Sequence, residues 1–348
     1  MNLFISASIY QLFNAINITT QNNMSDNTDI ILLSMKKNYV ESIDISCLKK
    51  FFNNVYVIKF EIFNNKIAKL GYCLKIIFID SNHKMNQKYD KVFLSGTEIY
   101  SKIVAEKCIK KNGAFFYYED GLASYYSVLN PDTKKRNDFL LKIRYGHRNL
   151  DFCKGLYVYE PQCVTLNPKE IPCFKIKKIE RNEINIERIS KVFKDAPFKI
   201  KTKYVFLEAW FDNQEQLDFQ KELCKVLIDK VGNENISIKA HPNQLHSVER
   251  LEEVEYIDSL CCFELSNFYE NWDDVIFVSA VSTASVSPKL VYGDSPKIIF
   301  LYRLFQQKFG MWKGIDKSID NLKQLYSENK HAIYTPNTID EFISLLNV

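Results

Sequence analysis

Short runs of β-branched and aromatic residues alternate along the chain with segments whose apolar positions recur every three or four residues. Asn2–Ser6 reads as a strand, and Ser8 can then cap a helix whose apolar face is Ile9, Leu12, Phe13 and Ile16. Further strands are expected at residues 29–33, 55–60, 92–94 and 114–118, with Ile99, Ile103, Val104 and Cys108 marking a helix between the last two. Near-continuous apolar strands separated by helices describe a parallel sheet covered on both faces. This predicts a first α/β domain over residues 1–190.

Lysine and isoleucine dominate residues 174–203, and Glu180-Arg181-Asn182 interrupts their periodicity, so this stretch reads as a connector with one amphipathic helix. The alternation then restarts. A strand Tyr204–Leu207 leads to a helix bearing Phe219, Leu223, Leu227 and Val231, then to a strand Ile236–Lys239 that ends at His241-Pro242. Two more strands are expected at residues 275–278 and 297–301. The second domain is expected over residues 200–348. The predicted fold class is therefore α/β, as two Rossmann-like domains facing across a cleft, with ligands beyond the carboxyl ends of the strands.

Composition narrows the function. A chain of 348 residues holds about two domains. Its 46 basic and 42 acidic side chains leave a formal charge of +4, too thin an excess for a nucleic-acid groove. No apolar run approaches the ~20 residues of a spanning helix, and the opening Met1 to Ser6 lacks the pattern of a signal peptide, which predicts a cytoplasmic protein. Nine cysteines without a Cys-x-x-Cys pair predict reduced, mostly buried thiols and no metal site. The 14% aromatic content carries no functional inference, since an AT-rich coding sequence would produce it.

Three motifs could carry chemistry. Tyr117-Tyr118-Glu119-Asp120-Gly121 sits where a predicted strand runs out, with a glycine that lets the backbone turn after two acids. Lys239-Ala240-His241-Pro242-Asn243 occupies the corresponding place in the second domain, where a histidine can hydrogen-bond an anion or protonate a leaving group. Residues 279–285, Ser-Ala-Val-Ser-Thr-Ala-Ser, follow the next strand and put hydroxyls ahead of a helix, which suits a phosphate. Pro288 belongs in a helix's first turn, so the helix starts at Ser285 or Ser287. Singly, these are an acidic turn, an ordinary His-Pro turn and helix capping. Together they are a base and a phosphate site.

In order and separation, the Glu-Asp-Gly, His-Pro and later Ser-Thr motifs resemble those of the bacterial sialyltransferases. The likeness is greatest to glycosyltransferase family 52, the lipooligosaccharide type, and related capsule polysialyltransferases share the pattern. The opening strand, turn and Gln11-bearing helix are also similar to the family's opening. The resemblance implies the GT-B architecture and an inverting transfer of sialic acid from CMP-sialic acid to a galactose-containing acceptor of a surface glycan. It also implies that Glu119 or Asp120 is the general base, with Glu119 preferred. His241, Ser282 and Thr283 would contact the CMP phosphate, and Gly121, Lys239 and Pro242 would complete the donor site. A monophosphate-linked donor has no pyrophosphate to neutralise, so no metal or cofactor is expected. Rivals are a GT-B enzyme using another donor such as UDP-glucose, and a two-domain binding protein without catalysis.

Other features have plainer readings. Lys134-Lys135-Arg136, Lys142, Arg144 and Arg148 around Phe139, Leu140 and Ile143 form either a solvated helix or a basic face touching a membrane peripherally. His83, His147, His246 and His331 have no partner pattern. Trp210 and Phe211, just past a strand, either stack on a sugar or base or pack in the core. The acceptor, the linkage and a homodimeric state stay open.

Overall fold

The computed structural model describes residues 1–34, 39–61, 66–78, 87–96, 98–129, 135–147, 149–165, 167–181, 183–194, 199–211, 213–241, 253–257, 262–269, 272, 274–312, 314–326 and 333–346. The chain divides into two compact units, Met1–Lys194 and Asp195–Val348. Each is built on its own parallel sheet with helices between the strands.

The first sheet holds seven strands: β1 (Asn2–Ser6), β2 (Thr28–Ser34), β3 (Val55–Lys59), β4 (Tyr89–Ser95), β5 (Ile109–Tyr118), β6 (Cys153–Val158) and β7 (Cys173–Lys175). Their order is β3-β2-β1-β4-β5-β6-β7, so the winding reverses between β1 and β4. The register brings the central strands out on one level. Ile5 pairs with Leu94, Leu94 with Tyr117, and Ser95 with Tyr118. Ala7, Gly96 and Glu119 therefore leave the sheet together, at the point where open α/β sheets take their ligands.

One face of this sheet is an aromatic ladder. Phe4 stacks on Phe93 at 4.4 Å between ring centroids, Phe93 on Phe116 at 5.1 Å, and the series continues through Tyr157 to Phe174. Cross-strand aromatic pairs of this kind each add ~0.2–1 kcal/mol, which gives the aromatic richness a structural use. Gly155 makes room for it, since a Cβ there would lie 2.2 Å from the Phe174 ring.

The segment expected as a connector begins instead with edge strand β7 and continues into the helix Glu183–Ser190. Its end is tied back to the first unit. Phe193 bridges Ile43, and the Asp44 N–H donates to Val192 O.

The second sheet holds β8 (Tyr204–Leu207), β9 (Ile236–Lys239), β10 (Glu255–Ile257), β11 (Ile276–Ser279), β12 (Lys297–Phe300) and β13 (Ile333–Tyr334) in the order β10-β9-β8-β11-β12-β13. Here the reversal falls between β8 and β11. Leu207 pairs with both Lys239 and Ser279, and Ser279 with Phe300, so Glu208, Ala240, Ala280 and Leu301 leave the sheet on one level. The helix Gln214–Val231 buries Phe219, Leu223 and Leu227 against Phe206, Ile238 and Phe305.

The helix after β11 starts earlier than its proline suggested. Ser282 is its N-cap, Thr283–Ser287 is α-helical, and Pro288–Tyr292 continues as a wider π turn. Proline inside a helix has no N–H to give and crowds the carbonyl four residues back. Here the Ser287 hydroxyl donates to Ala284 O at 3.2 Å, the carbonyl that a proline N–H cannot serve, and past the proline the Gly293 N–H bonds back five residues to Pro288 O.

Phe139 and Ile143, one turn apart on the helix Lys135–Tyr145, are 62% and 60% exposed, with Lys142 and Arg144 exposed beside them. Lys134 and Arg148 lie outside the described residues, as do the side chains of Lys135 and Arg136. Among the described residues no helix is long and apolar enough to cross a membrane.

Candidate functional site

The first unit's site grows from the turn after β5. Successive residues leaving a strand point to opposite sides, and here that alternation separates the two acids. Glu119 turns inward and is fully buried. Its Oε1 accepts the Gly121 N–H at 2.8 Å, its Oε2 accepts the Tyr125 hydroxyl at 2.7 Å, and the Tyr159 N–H adds a third bond. Burial outweighs these donors and pushes its carboxyl up to about 8, with a smaller push from the Asp120 charge. Beneath it, Tyr159 donates to Asn14 Oδ1 at 2.8 Å and accepts from Asn17 Nδ2 at 3.1 Å, which ties the turn to the helix Ile9–Gln21.

Asp120 is half-buried. Its Oδ1 accepts from Gln11 Nε2 at 2.8 Å, and its N–H donates to Ser124 Oγ at 2.7 Å. The Gly96 turn after β4 packs against the other oxygen. A Cβ on Gly96 would lie 2.3 Å from Asp120 Oδ2, and Gly96 has φ +67°, a region that favours glycine. The three central strands thus each contribute to one carboxylate, and two contributors, Gln11 and Gly96, come from remote parts of the chain.

Glu119, preferred as the base, is fully buried with both oxygens engaged inside the protein. Gly121, expected in the donor site, gives its N–H to Glu119 and is buried at φ +81°.

In the second unit the sheet ends carry a different set. Glu208, just past β8, receives the backbone N–H of His241, and its own N–H donates to Lys239 O at 3.0 Å. Burial pushes its carboxyl up, against the lowering effect of that N–H and of Lys221 and Lys239. Its Oε2 is buried and has no hydrogen-bond partner among the described residues. His241 is half-buried at the end of β9, and the Lys239 ammonium lies 5.9 Å from the Phe263 ring centroid. Across β8, Ser282 and Thr283 follow β11 and are half-buried; Ser282 makes no side-chain capping bond. Strand spacing puts the ends of β9 and β11 about 10 Å apart. A buried pair, Ser279 and Ser285, joins the start of this helix to β11 through hydroxyls 3.1 Å apart.

Trp210 is 46% exposed, whereas Phe211 stacks on Phe305 in the core at 5.1 Å. Pro242, Asn243, His83, His246 and His331 lie outside the described residues. His147 bonds Glu106 in the first unit at 3.1 Å. Among the described residues no group of three or more His, Cys, Asp and Glu side chains could hold a metal ion.

Glu208 and Gly96 gave no signal in the sequence. Each acts through a strand end whose level is set only by register. Gln11 stood in a recognisable opening segment, but nothing local tied it to an aspartate 109 residues away.

Several solved structures share this architecture. The glycosyltransferase of kitacinnamycin is similar over 100% of this chain and 90% of its own, at 10% identity and a TM-score of 0.53. The spinosyn forosaminyltransferase SpnP covers 99% of this chain and 90% of its own at 8% identity and 0.52. The UDP-GlcNAc 2-epimerase from Neisseria meningitidis bound to UDP-GlcNAc covers 99% and 98% at 13% identity and 0.53. At these identities they show the fold, two Rossmann-like domains of GT-B type. No curated protein matches the chain by sequence. The alpha-2,8-polysialyltransferase family model matches residues 2–305, and with the acidic turn, the histidine and the hydroxyl pair on their strand ends, the chain belongs to that family of glycosyltransferases.

Proposed function

We propose that this protein transfers sialic acid from CMP-sialic acid to a bacterial surface glycan, with inversion at the sugar and Asp120 as general base. The observation that carries the assignment is the half-exposed Asp120 carboxylate at the first sheet's switch point, beside a Glu119 that is wholly engaged inside. Asp120 takes the proton of an acceptor hydroxyl, whose oxygen attacks the anomeric carbon as the bond to the CMP phosphate oxygen breaks. The departing phosphate gains charge, which His241, Ser282 and Thr283 in the second unit can stabilise by hydrogen bonds. Lys239 adds a positive charge on the same strand. A monophosphate leaving group needs no metal to bridge two phosphates, so these donors suffice.

The family description favours growth of an α-2,8-linked chain, which makes a sialylated end the first acceptor to test. A galactose end, implied by the lipooligosaccharide-type resemblance, is the second. Phe139 and Ile143 with Lys142 and Arg144 give one helix an apolar and basic surface suited to an anionic membrane carrying such an acceptor.

The test is a donor panel. CMP, but not UDP, should raise the melting temperature, and only CMP-sialic acid should be consumed with product on a sialylated or galactose-ended acceptor. Protection by UDP, with consumption of a UDP-sugar, would replace this reading with the UDP-sugar rival.

A further inference from the structure

The helix Ile9–Gln21 opens with Ser8-Ile9-Tyr10-Gln11, the spacing of a capping box. Ser8 Oγ accepts the Gln11 N–H at 3.3 Å, and Gln11 Oε1 reaches back to accept the Ala7 N–H at 2.7 Å. Glutamate would make that backward bond equally well, and the helix dipole would favour its charge. Only glutamine also supplies a donor. Its Nε2 lies 2.8 Å from Asp120 Oδ1.

The amide has one sensible orientation. Flipped, it would set its NH2 against the Ala7 N–H and its oxygen against a carboxylate. Asp120 is then held from three sides: by Gln11 at Oδ1, by Ser124 at its N–H, and by the Gly96 backbone packed against Oδ2. We propose that Gln11 is a positioning residue for Asp120, a helix-cap side chain whose spare N–H orients the base carboxylate and favours its charged form. This rests on the reading of Asp120 as the base.

The titratable groups that feel the Asp120 charge are Glu119 on the same turn and Tyr118 at the end of β5, with Tyr125 and Tyr10 next around Glu119. Burial pushes Glu119, Tyr118 and Tyr125 up toward their neutral forms, and the Gln11 amide faces the Asp120 carboxylate. A second carboxylate in place of the Gln11 amide would oppose it directly.

The test uses the full chain with CMP-sialic acid and a sialylated acceptor. Gln11→Glu keeps the backward cap and loses the donor. It should leave the melting temperature within a few degrees and the donor KM within about twofold. It should also lower kcat at pH 7 by about tenfold or more and move the acid limb of the pH profile up by roughly one unit. Gln11→Ala should lower kcat similarly with a smaller pH shift. In an Asp120→Asn background, Gln11→Glu should cost nothing further. A wild-type kcat and pH profile for Gln11→Glu would overturn the proposal, as would losses in both variants that merely follow the melting temperature. Should Gln11→Glu fail to fold, the KM and kcat split and the pH profile of Gln11→Ala decide alone. An active Asp120→Asn would instead overturn the base assignment itself.

Discussion

At the carboxyl end of the first sheet, Glu119 has donors on both oxygens and Asp120 is gripped by Gln11, while at the same end of the second sheet Glu208 keeps a buried oxygen with no partner among the described residues and Ser282 makes no side-chain cap. The topologies are alike, each with a switch point between its first strand and the strand on that strand's other side. A buried polar atom without a partner costs ~1–3 kcal/mol, so the Glu208 end of the second sheet is held less completely than the acidic turn of the first. In the proposed mechanism the two ends have separate roles: a preset base on the acidic turn of the first unit, and hydrogen-bond donors to a leaving phosphate at the strand ends of the second.

Separating the two functions gives the largest effects. His241→Ala should weaken CMP binding and lower transfer by about 10²-fold, whereas Asp120→Asn should leave the CMP Kd within about twofold. Calorimetric titration of CMP into both variants checks this, and equal loss of CMP affinity in both would merge the two sites.

The next effect is on stability. Glu119 has a folded-state value of about 8, above that of an unfolded glutamate. From about pH 4.5 to 8 the unfolded chain sheds this proton and the folded chain keeps it, so unfolding becomes easier as pH rises, by roughly 1.4 kcal/mol per unit. Glu119→Gln removes that slope. It should be near neutral at pH 5 and stabilising by a few kcal/mol at pH 8, as denaturation midpoints at the two pH values would record. A parallel pH dependence in variant and wild type would mean that Glu119 is ionised when folded.

The smallest effect lies away from both sites. Gly155→Ala pushes a Cβ against Phe174 and should cost about 1–2 kcal/mol through the aromatic ladder, with transfer unchanged. A loss of activity at constant stability would show the ladder reaching the site.

Most inner strands of both sheets were legible because each carries a short apolar or β-branched run between turn residues. β6, with Lys154 and Gly155 inside it, and the two- or three-residue strands β7, β10 and β13 were not, since their pairing depends on neighbours and not on their own pattern. The site was legible as motifs but not as roles. Two adjacent acids look equivalent in a sequence, and only the direction in which each leaves β5 buries one and leaves the other reachable. The helix after β11 hid its start because a proline usually marks a first turn, whereas here Pro288 stands one turn further in and a π turn follows it. Glu208 and Gly96 became visible through register alone.

The most direct measurement is the initial rate of transfer from CMP-sialic acid by Asp120→Asn and by Glu119→Gln at pH 7, with both variants shown to be folded. A loss of about 10²–10⁴-fold for Asp120→Asn, against less than about tenfold for Glu119→Gln, is the predicted result. The reverse order would move the base to Glu119 and contradict the account.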